Sequence, residues 1–224
     1  MNRRRYAVIV AGGQGLRMGA DRPKQFLEVE GRPILRHTIE HFQALGGDVR
    51  FIIVLPSSSR EWWKSYCRET GFLESYTMVA GGLTRFHSVR NALAHVPDGA
   101  AVAVHDGVRP LVSAEFLERM FEEAESSPAS VPVMPMVESM RLLKEDGGSE
   151  QADRSRFVTV QTPQVFQSEV LKAAYGQAYS PAFTDDASVV ESAGYGIKLV
   201  PGERLNIKIT TPEDLELFRL LAVR

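Results

Sequence analysis

Short apolar runs alternate along this chain with longer segments in which apolar residues recur at helical spacing. The apolar runs predict buried strands at residues 6–11, 50–55, 76–80, 101–105 and 130–135. The segments between them predict helices at residues 34–45, 60–70, 85–96 and 114–126, with Thr84 and Ser113 as caps. Strands that alternate with helices predict an α/β fold, in which a mostly parallel sheet carries helices on both faces.

The alternation breaks at residues 137–160, where the sequence predicts a projecting β-hairpin arm. Its strands are expected at residues 138–144 and 155–160, joined by turn residues at 145–148. An isolated hairpin is marginally stable in water. The arm must therefore pack either on its own domain or on a partner subunit, and the sequence leaves both open.

Beyond the arm, the pattern predicts helices at residues 167–179 and 185–193 and strands at 196–200 and near 206–210. Thr211 is expected to cap a last helix that begins at Pro212, because proline suits the first helical position. We expect residues 1–224 to form a single domain, with the arm at 137–160 inserted within it.

Composition limits the function classes that fit. Hydrophobic residues make up 44% of the 224 residues, and the net charge is −2. This balance offers no basic surplus for a nucleic acid or an anionic membrane, and no segment is long and apolar enough to span a bilayer. The single cysteine, Cys67, excludes an intrachain disulfide and predicts a structural thiol in a reducing cytoplasm.

The turn after the first predicted strand carries the clearest chemical signal. Gly12, Gly13 and Gly15 leave the backbone bare, so its N–H groups can approach an anion closely. Arg17 and Lys24 add two positive charges in the same loop. A strand, a glycine-rich turn and two cations together predict a site for a nucleoside triphosphate.

Two common phosphate motifs are excluded at this turn. A P-loop requires Lys and then Ser or Thr after its last glycine, but Gly19 is followed by Ala20. A dinucleotide fingerprint would need Gly or Ala at the position of Met18. The motif that remains resembles the opening G-x-G-x-R-M and P-K of activated-sugar nucleotidyltransferases.

Two further turns follow predicted strands, at the sheet edge where ligands bind in folds of this kind. Gly82 and Ser88 lie in the second turn, either beside a base or ribose or in an ordinary solvated loop. Asp106 ends the third strand, where it can orient a hydrated Mg²⁺ or a ribose hydroxyl. The alternative is a local turn interaction between Asp106 and Arg109, and His105 is expected to pack against the sheet.

Seven motifs, taken in order, resemble the 2-C-methyl-D-erythritol 4-phosphate cytidylyltransferases of the non-mevalonate isoprenoid route. The motifs are G-x-G-x-R-M, P-K-Q-F-L, G-G-x-x-R-x-x-S-V, H-D-x-V-R-P, T-P-Q, T-D-x-A-S and N-I-K-I-T. The resemblance implies a Rossmann-like nucleotidyltransferase fold and transfer of CMP from CTP to the sugar-alcohol phosphate, with release of pyrophosphate. It also implies a divalent cation, Mg²⁺, held mainly by the CTP phosphates.

The resemblance also assigns roles to residues. It implies that the CTP site is lined by Ala11, Gly12, Gly13, Gly15, Gly82, Ser88 and Asp106. It implies catalytic cations at Arg17, Lys24, Arg154 and Lys208, and an acceptor site formed by Asp106, Arg109, Ser139, Arg154, Thr162 and Lys208. The family is a homodimer with interlocked arms, so Arg154 would reach the neighbouring subunit's acceptor. The family usually has Asp-Thr where this chain has Glu138-Ser139, and Ser139 keeps the hydroxyl.

Two alternatives remain open at this point. A ribitol 5-phosphate cytidylyltransferase has similar loops and the same chemistry, although the residues around Ser139 and Arg154 favour methylerythritol phosphate. A nucleotide-binding regulator without turnover would keep only the glycine loop. The presence of Arg17, Lys24, Asp106 and Lys208 argues against it.

Overall fold

The apolar runs form the central strands of one sheet in the computed structural model, which describes residues 3–12, 22–46, 49–72 and 75–222. The strands are β1 Arg4–Val10, β2 Glu28–Val29, β3 Arg32–Pro33, β4 Val49–Leu55, β5 Thr77–Ala80, β6 Ala100–Asp106, β7 Ala129–Pro135, β8 Met140–Leu143, β9 Ser149–Ala152, β10 Val158–Val160, β11 Gln164–Gln167 and β12 Lys198–Pro201. The helices are α1 Ile34–Gln43, α2 Arg60–Thr70, α3 Arg85–Leu93, α4 Ala114–Ser126, α5 Ser168–Tyr175, α6 Asp186–Ser192 and α7 Pro212–Ala222.

The main sheet runs in the order β10-β7-β11-β6-β1-β4-β5, and β12 also pairs with β7. Strand β1 pairs in parallel with β6 and β4, β4 pairs in parallel with β5, and β12 is parallel to β7. Strands β10 and β11 run antiparallel to β7. The prediction of a mostly parallel sheet is therefore confirmed, and the carboxyl ends of β1, β5 and β6 meet at one edge.

Helices cover both faces of the sheet, as the sequence predicts. Helices α1, α2 and α4 bury their apolar sides on one face, and α3, α5 and α6 bury theirs on the other. Every residue of β6 is buried, which is why this strand is apolar almost throughout. The predicted caps are also confirmed, because Thr84 accepts a hydrogen bond from the His87 N–H and Ser113 from the Phe116 N–H.

The predicted pairing within the arm is wrong. Strand β8 pairs with β9, in the register that sets Met140 opposite Ala152, and not with residues 155–160. Gly147, with a φ of 81°, closes a tight turn directly after β8, so the first residues beyond that turn complete the hairpin. Strand β10 instead pairs with β7 at the edge of the main sheet, where Thr159 faces Met134.

Two other predictions need correction. Strand β11 is inserted antiparallel between β6 and β7, in a stretch where no strand was predicted. Residues 206–210 do not form a strand, because their backbone N–H groups donate within turns or to single carbonyl groups instead of to a neighbouring strand. Asn206 donates to the Glu203 carbonyl, Ile207 to that of Leu205, and Ile209 to that of Val108.

The described helices are too short or too polar to cross a membrane. Cys67 is buried on the inner side of α2, where burial raises the pKa of its thiol. This position agrees with a structural thiol.

Candidate active site

The turns after β1, β5 and β6 meet in a cavity of about 290 Å³, which we call the first lobe. It brings together, from distant parts of the sequence, the predicted site residues Ala11, Gly12, Lys24, Gly82, Ser88, Asp106 and Lys208. A second cavity of about 270 Å³, the second lobe, is lined by Arg109, Gln161, Thr162, Gln164 and Asp185 among others. Both lobes include Arg85, Asp106 and Lys208, so these three side chains lie at their junction.

Position 82, in the first lobe, requires glycine because any side chain would clash with a neighbouring residue. A Cβ at this position would lie 2.4 Å from the His87 Cβ, well inside van der Waals contact. The Gly82 N–H donates to the Ser88 hydroxyl at 3.0 Å, and that hydroxyl donates to the Thr84 carbonyl at 3.0 Å. Ser88 therefore shapes the turn as well as lining the lobe.

Three predicted residues, Gly13, Gly15 and Arg17, lie outside the described residues. The same loop is described again from Arg22, and residues Lys24–Phe26 form a short 3₁₀ turn. The Lys24 Nζ donates to the Ile209 carbonyl at 3.1 Å. This bond joins the loop after β1 to the C-terminal segment that carries Lys208.

Asp106 is the centre of the charge at the junction. Its Oδ2 lies 3.0 Å from the Lys208 Nζ and 3.3 Å from the Arg109 Nε, and its Oδ1 lies 4.0 Å from the Arg85 Nε. Burial alone would raise the pKa of Asp106, but the cations of Arg85, Lys208 and Arg109 hold it well below its usual range. The carboxylate is therefore ionised and fixes the positions of its cationic neighbours.

Asp106 and Arg109 form the turn interaction that was considered from the sequence as an alternative to a ligand role. Asp106 nevertheless also lines both lobes. The Arg109 guanidinium also donates to the Asn206 carbonyl at 2.7 Å, and the Asn206 amide donates to the Thr162 carbonyl at 2.8 Å. These bonds hold the irregular segment before Lys208 in place. The two interpretations of Asp106 are therefore not exclusive.

His105 is fully buried and packs edge-on against Phe42, as the sequence predicts. Its Nε2 donates to the Arg109 carbonyl at 3.2 Å, so its Nδ1 accepts from the Thr162 hydroxyl at 3.1 Å. That hydroxyl in turn accepts the Asp106 N–H at 3.1 Å. Burial lowers the pKa of His105 to about 3, so the imidazole is neutral at physiological pH.

Several lining residues had no role in the sequence prediction, among them Arg85, Gln164 and Asp185. Arg85 pairs with the buried Asp186 at 2.6 Å, and Gln164 donates to Asp185 at 2.7 Å. Gln164 and Asp185 lie in the T-P-Q and T-D-x-A-S motifs, and Arg85 lies in G-G-x-x-R-x-x-S-V. The motifs were therefore a signal for these residues, but their pairing across the site is visible only in three dimensions.

The arm residues behave differently. Ser139 and Arg154 are exposed, and neither lines a lobe of the same chain. The Arg154 guanidinium donates to the Val137 carbonyl at 2.5 Å, across the base of the arm. The described chain therefore brings together the predicted residues of its main sheet, but not those of its arm.

The expected Mg²⁺ ion is one held mainly by the CTP phosphates, with Asp106 as the protein residue that can orient it. Among the described residues, no cluster of three or more His, Cys, Asp or Glu side chains could hold a metal ion. Asp106 is a single carboxylate, and cations already lie beside both of its oxygens. Mg²⁺ is usually held by one or two carboxylates together with substrate phosphates. These residues therefore do not fit a resident Mg²⁺ ion.

The geometry suits two anionic ligands that meet. The first lobe offers a glycine turn and Lys24, the second offers hydroxyl and amide groups, and Lys208 is accessible from both. A fixed carboxylate between several cations keeps their charges in place without requiring them to reorganise. The arrangement can therefore hold two like-charged groups close together.

Comparisons with known proteins agree with this geometry. The sequence model of the family described as 2-C-methyl-D-erythritol 4-phosphate cytidylyltransferase matches residues 6–222. Proteins with that name from Bacteroides thetaiotaomicron and Porphyromonas gingivalis are 51% and 53% identical to the chain. The first alignment covers 94% of this chain and 95% of the relative, and the second covers 99% of each.

Solved structures show the same fold. The 4-diphosphocytidyl-2C-methyl-D-erythritol synthase from Anaerococcus prevotii has a TM-score of 0.84 at 25% identity, with all of both chains covered. The 2-C-methyl-D-erythritol 4-phosphate cytidylyltransferase from Thermus thermophilus has a TM-score of 0.77 at 30% identity, covering 99% of this chain and 100% of that one. The expected Rossmann-like nucleotidyltransferase fold is thereby confirmed.

Proposed function

The chain belongs to the 2-C-methyl-D-erythritol 4-phosphate cytidylyltransferase family, and on this basis we propose how its residues divide the reaction between them. The enzyme transfers CMP from CTP to 2-C-methyl-D-erythritol 4-phosphate. The products are pyrophosphate and 4-diphosphocytidyl-2-C-methyl-D-erythritol.

The two-lobed cavity with a shared charged junction is the observation that carries the assignment of roles. CTP occupies the first lobe, where Ala11, Gly12, Gly82 and Ser88 surround it. Gly13 and Gly15, which lie outside the described residues, are assigned to the same ligand through the motif they belong to. The acceptor occupies the second lobe and faces Arg109 and Thr162. Asp106 borders both ligands, because it lies between the lobes.

In this assignment, an oxygen of the acceptor phosphate attacks the α-phosphorus of CTP. A new P–O bond forms, the bond between the α-phosphorus and the bridging oxygen breaks, and pyrophosphate leaves with that electron pair. A phosphate monoester has a second pKa of about 6, so the attacking group is mostly dianionic at pH 7. The attack therefore needs no general base, in agreement with the neutral and fully buried His105.

The main barrier to this step is the repulsion between two anions. Unit charges about 4 Å apart repel by roughly 4 kcal/mol at an effective dielectric constant of about 20. Lys208 lies in both lobes and is placed to neutralise the acceptor phosphate beside the triphosphate. Lys24 and Arg17 stabilise the charge that moves onto the pyrophosphate.

In this proposal, Mg²⁺ would be held by the phosphates of CTP and not by residues of the protein. The cations around Asp106 support an ion carried by the phosphates over one held by the protein. Such an ion would reduce the negative charge of the triphosphate.

The second subunit completes the site. A homodimer whose arms interlock would bring Arg154 and Ser139 of one chain to the acceptor lobe of the other. Exposed apolar side chains on the arm support such a contact: Val137, Leu142, Leu143 and Phe157. A cytoplasmic enzyme without nucleic-acid or membrane partners is consistent with the single cysteine and the net charge of −2.

One assay tests the proposal directly. Pyrophosphate release is measured with CTP alone, with CTP and 2-C-methyl-D-erythritol 4-phosphate, and with CTP and ribitol 5-phosphate. We expect release with the first acceptor and little with the second. Faster pyrophosphate release with ribitol 5-phosphate would show that this compound is the acceptor. CTP binding without pyrophosphate release with either acceptor would indicate a nucleotide-binding regulator.

A further inference from the structure

Arg85 occupies an unusual position for a cation. It is the first residue of α3, where the partial positive charge of a helix N-terminus disfavours a second positive charge. Its side chain lies at the junction of the two lobes, although it caps nothing in its own helix. A local structural role does not explain this placement.

Two carboxylates from different parts of the fold face Arg85. Its Nη2 donates to the Asp186 Oδ2 at 2.6 Å, and its Nε lies 4.0 Å from the Asp106 Oδ1. Asp186 is the first residue of α6 and is fully buried, and its other oxygen accepts from the Tyr175 hydroxyl at 2.5 Å. Arg85 thus connects a rigidly held acid on α6 with the acid at the end of β6.

We propose that Arg85 is a positioning residue for cytidylyl transfer, which uses Asp186 as an anchor to hold the Asp106 carboxylate between the two lobes. The proposal rests on the assigned function and adds a residue to which no role has been given. Arg85 acts through Asp106 and Lys208, and not by contact with the reacting atoms.

The distribution of cations around Asp106 explains the effect. Lys208 and Arg109 contact Oδ2, whereas Arg85 lies on the side of Oδ1. Among the ion pairs of the described residues, Arg85 is the cation on the Oδ1 side, so its loss would remove the charge that opposes rotation of the carboxylate toward Lys208. A tighter pair with Asp106 would make the Lys208 ammonium less available to the acceptor phosphate.

Loss of Arg85 would also lower the net positive charge that attracts the acceptor phosphate. Arg85, Arg109, Lys208, Asp106 and Asp186 together carry a net charge of +1. Loss of Arg85 would make this group neutral and leave Asp186 as a buried, unpaired acid. A planar guanidinium can contact two carboxylates at once, which a lysine ammonium does less well.

The test separates this role from a purely structural ion pair. Turnover, KM for each substrate and thermal unfolding are measured for Arg85→Gln, Arg85→Lys and the double variant Arg85→Gln/Asp186→Asn. The double variant leaves no unpaired acid, so it should recover most of the stability that Arg85→Gln loses. Its kcat/KM for the acceptor should nevertheless remain about tenfold or more below that of the wild type, with a smaller change in KM for CTP.

The chain provides a matched control at the other end of the sheet. Arg5 forms a two-point pair with Glu118, at 2.6 and 2.5 Å, near the start of β1. Because Glu118 is partly exposed, Arg5→Gln and Arg5→Gln/Glu118→Gln should change stability less than the Arg85 variants do, and both KM values and kcat should stay within about twofold of the wild type.

Three outcomes are decisive. Recovery of acceptor kcat/KM together with stability in the double variant would show that Arg85 is only half of a structural pair. An acceptor kcat/KM near the wild-type value in Arg85→Gln would also overturn the proposal. A wild-type enzyme that releases no pyrophosphate with either acceptor would instead refute the assigned function, so the two failures are distinguishable.

Discussion

The Lys208 Nζ lies 3.0 Å from the Asp106 Oδ2, and the two side chains differ sharply in accessibility. The lysine side chain is 43% exposed, whereas that of the aspartate is 10% exposed. The buried partner is fixed by its surroundings, so it holds an accessible ammonium group at a defined place. A cation of this kind can meet an incoming phosphate without a large rearrangement.

We predict that Lys208→Gln lowers kcat/KM for the acceptor by about 10²–10³, comparable to removal of one preorganised donor at a developing charge. CTP affinity, measured by calorimetry without acceptor, should change much less. Lys208→Arg is the matched control, because it keeps the charge and should retain more activity. A large loss of CTP affinity with unchanged acceptor kinetics would place Lys208 in the CTP site alone.

Lys24→Ala should depress turnover more than CTP affinity. Lys24 lines the first lobe, where charge moves onto pyrophosphate as the reaction proceeds. An interaction made mainly in the transition state lowers kcat and kcat/KM together. We expect the same of Arg17→Ala. Steady-state kinetics measure turnover, and calorimetric titration measures CTP affinity. Weaker CTP binding with normal turnover would show that these cations stabilise only the bound ground state.

Most of the main sheet could be predicted from the sequence because its strands are buried on both faces. A continuous apolar run such as β6 has few other structures open to it. Strand β11 was missed because its four residues lie beside a predicted helix and pair antiparallel within the sheet. Residues 206–210 alternate like a strand, but turns and side-chain contacts determine their conformation.

The candidate site was predictable as a set of turns, because the carboxyl ends of parallel strands share one sheet edge. Asp106 was identified in this way, whereas Lys208, which lies in no strand, was assigned only through the N-I-K-I-T motif of the family resemblance. The pairing of Arg85 with Asp186 could not be predicted. It depends on how α3 and α6 pack on the same face of the sheet, and no periodic pattern carries that information.

CTP binding should change the intrinsic tryptophan fluorescence. The chain has two tryptophans, Trp62 and Trp63, both in α2. The Phe26 ring lies 4.5 Å from the Trp62 ring, and Phe26 shares its 3₁₀ turn with Lys24. A shift of Lys24 toward the phosphates would therefore move Phe26 against Trp62, which is 36% exposed.

The fluorescence experiment is a CTP titration compared with calorimetry on the same sample. Trp62→Phe should lose most of the signal and keep the calorimetric affinity. Saturation by calorimetry without any spectral change in the wild type would show that this turn does not move when CTP binds.

His105→Asn should keep substantial turnover at pH 8. The acceptor phosphate is already ionised there, and a buried imidazole whose pKa is lowered to about 3 cannot serve as a base that titrates near neutrality. The acidic limb of the activity profile should shift when an acceptor with a different phosphate pKa is used. A large loss of turnover in a well-folded variant, with unchanged substrate affinities, would require a proton-transfer step.

The same histidine should make folding stability depend on pH. Its folded-state pKa of about 3 lies below the ordinary value of 6.5, so the unfolded chain binds more protons between these values. Stability therefore rises with pH in this window, and acidification from pH 7 to pH 5 should cost about 2 kcal/mol from His105. Urea unfolding at both pH values measures this loss. It should be smaller in His105→Asn, and an equal loss in both proteins would assign it to other groups.

The arm should supply Arg154 in trans, and mixed subunits test this. Arg154→Ala and Lys208→Ala should each be nearly inactive alone. In a heterodimer of the two, one site would combine Lys208 of one chain with Arg154 of the other, and the second site would lack both. With random exchange of subunits in an equal mixture, about a quarter of all sites should be intact, so about a quarter of the wild-type activity should return.

If Arg154 acted within its own chain, every site would lack one of the two cations. A mixture whose subunit exchange is proven by mass spectrometry, but whose activity stays at the level of the separate variants, would therefore rule out the trans arrangement.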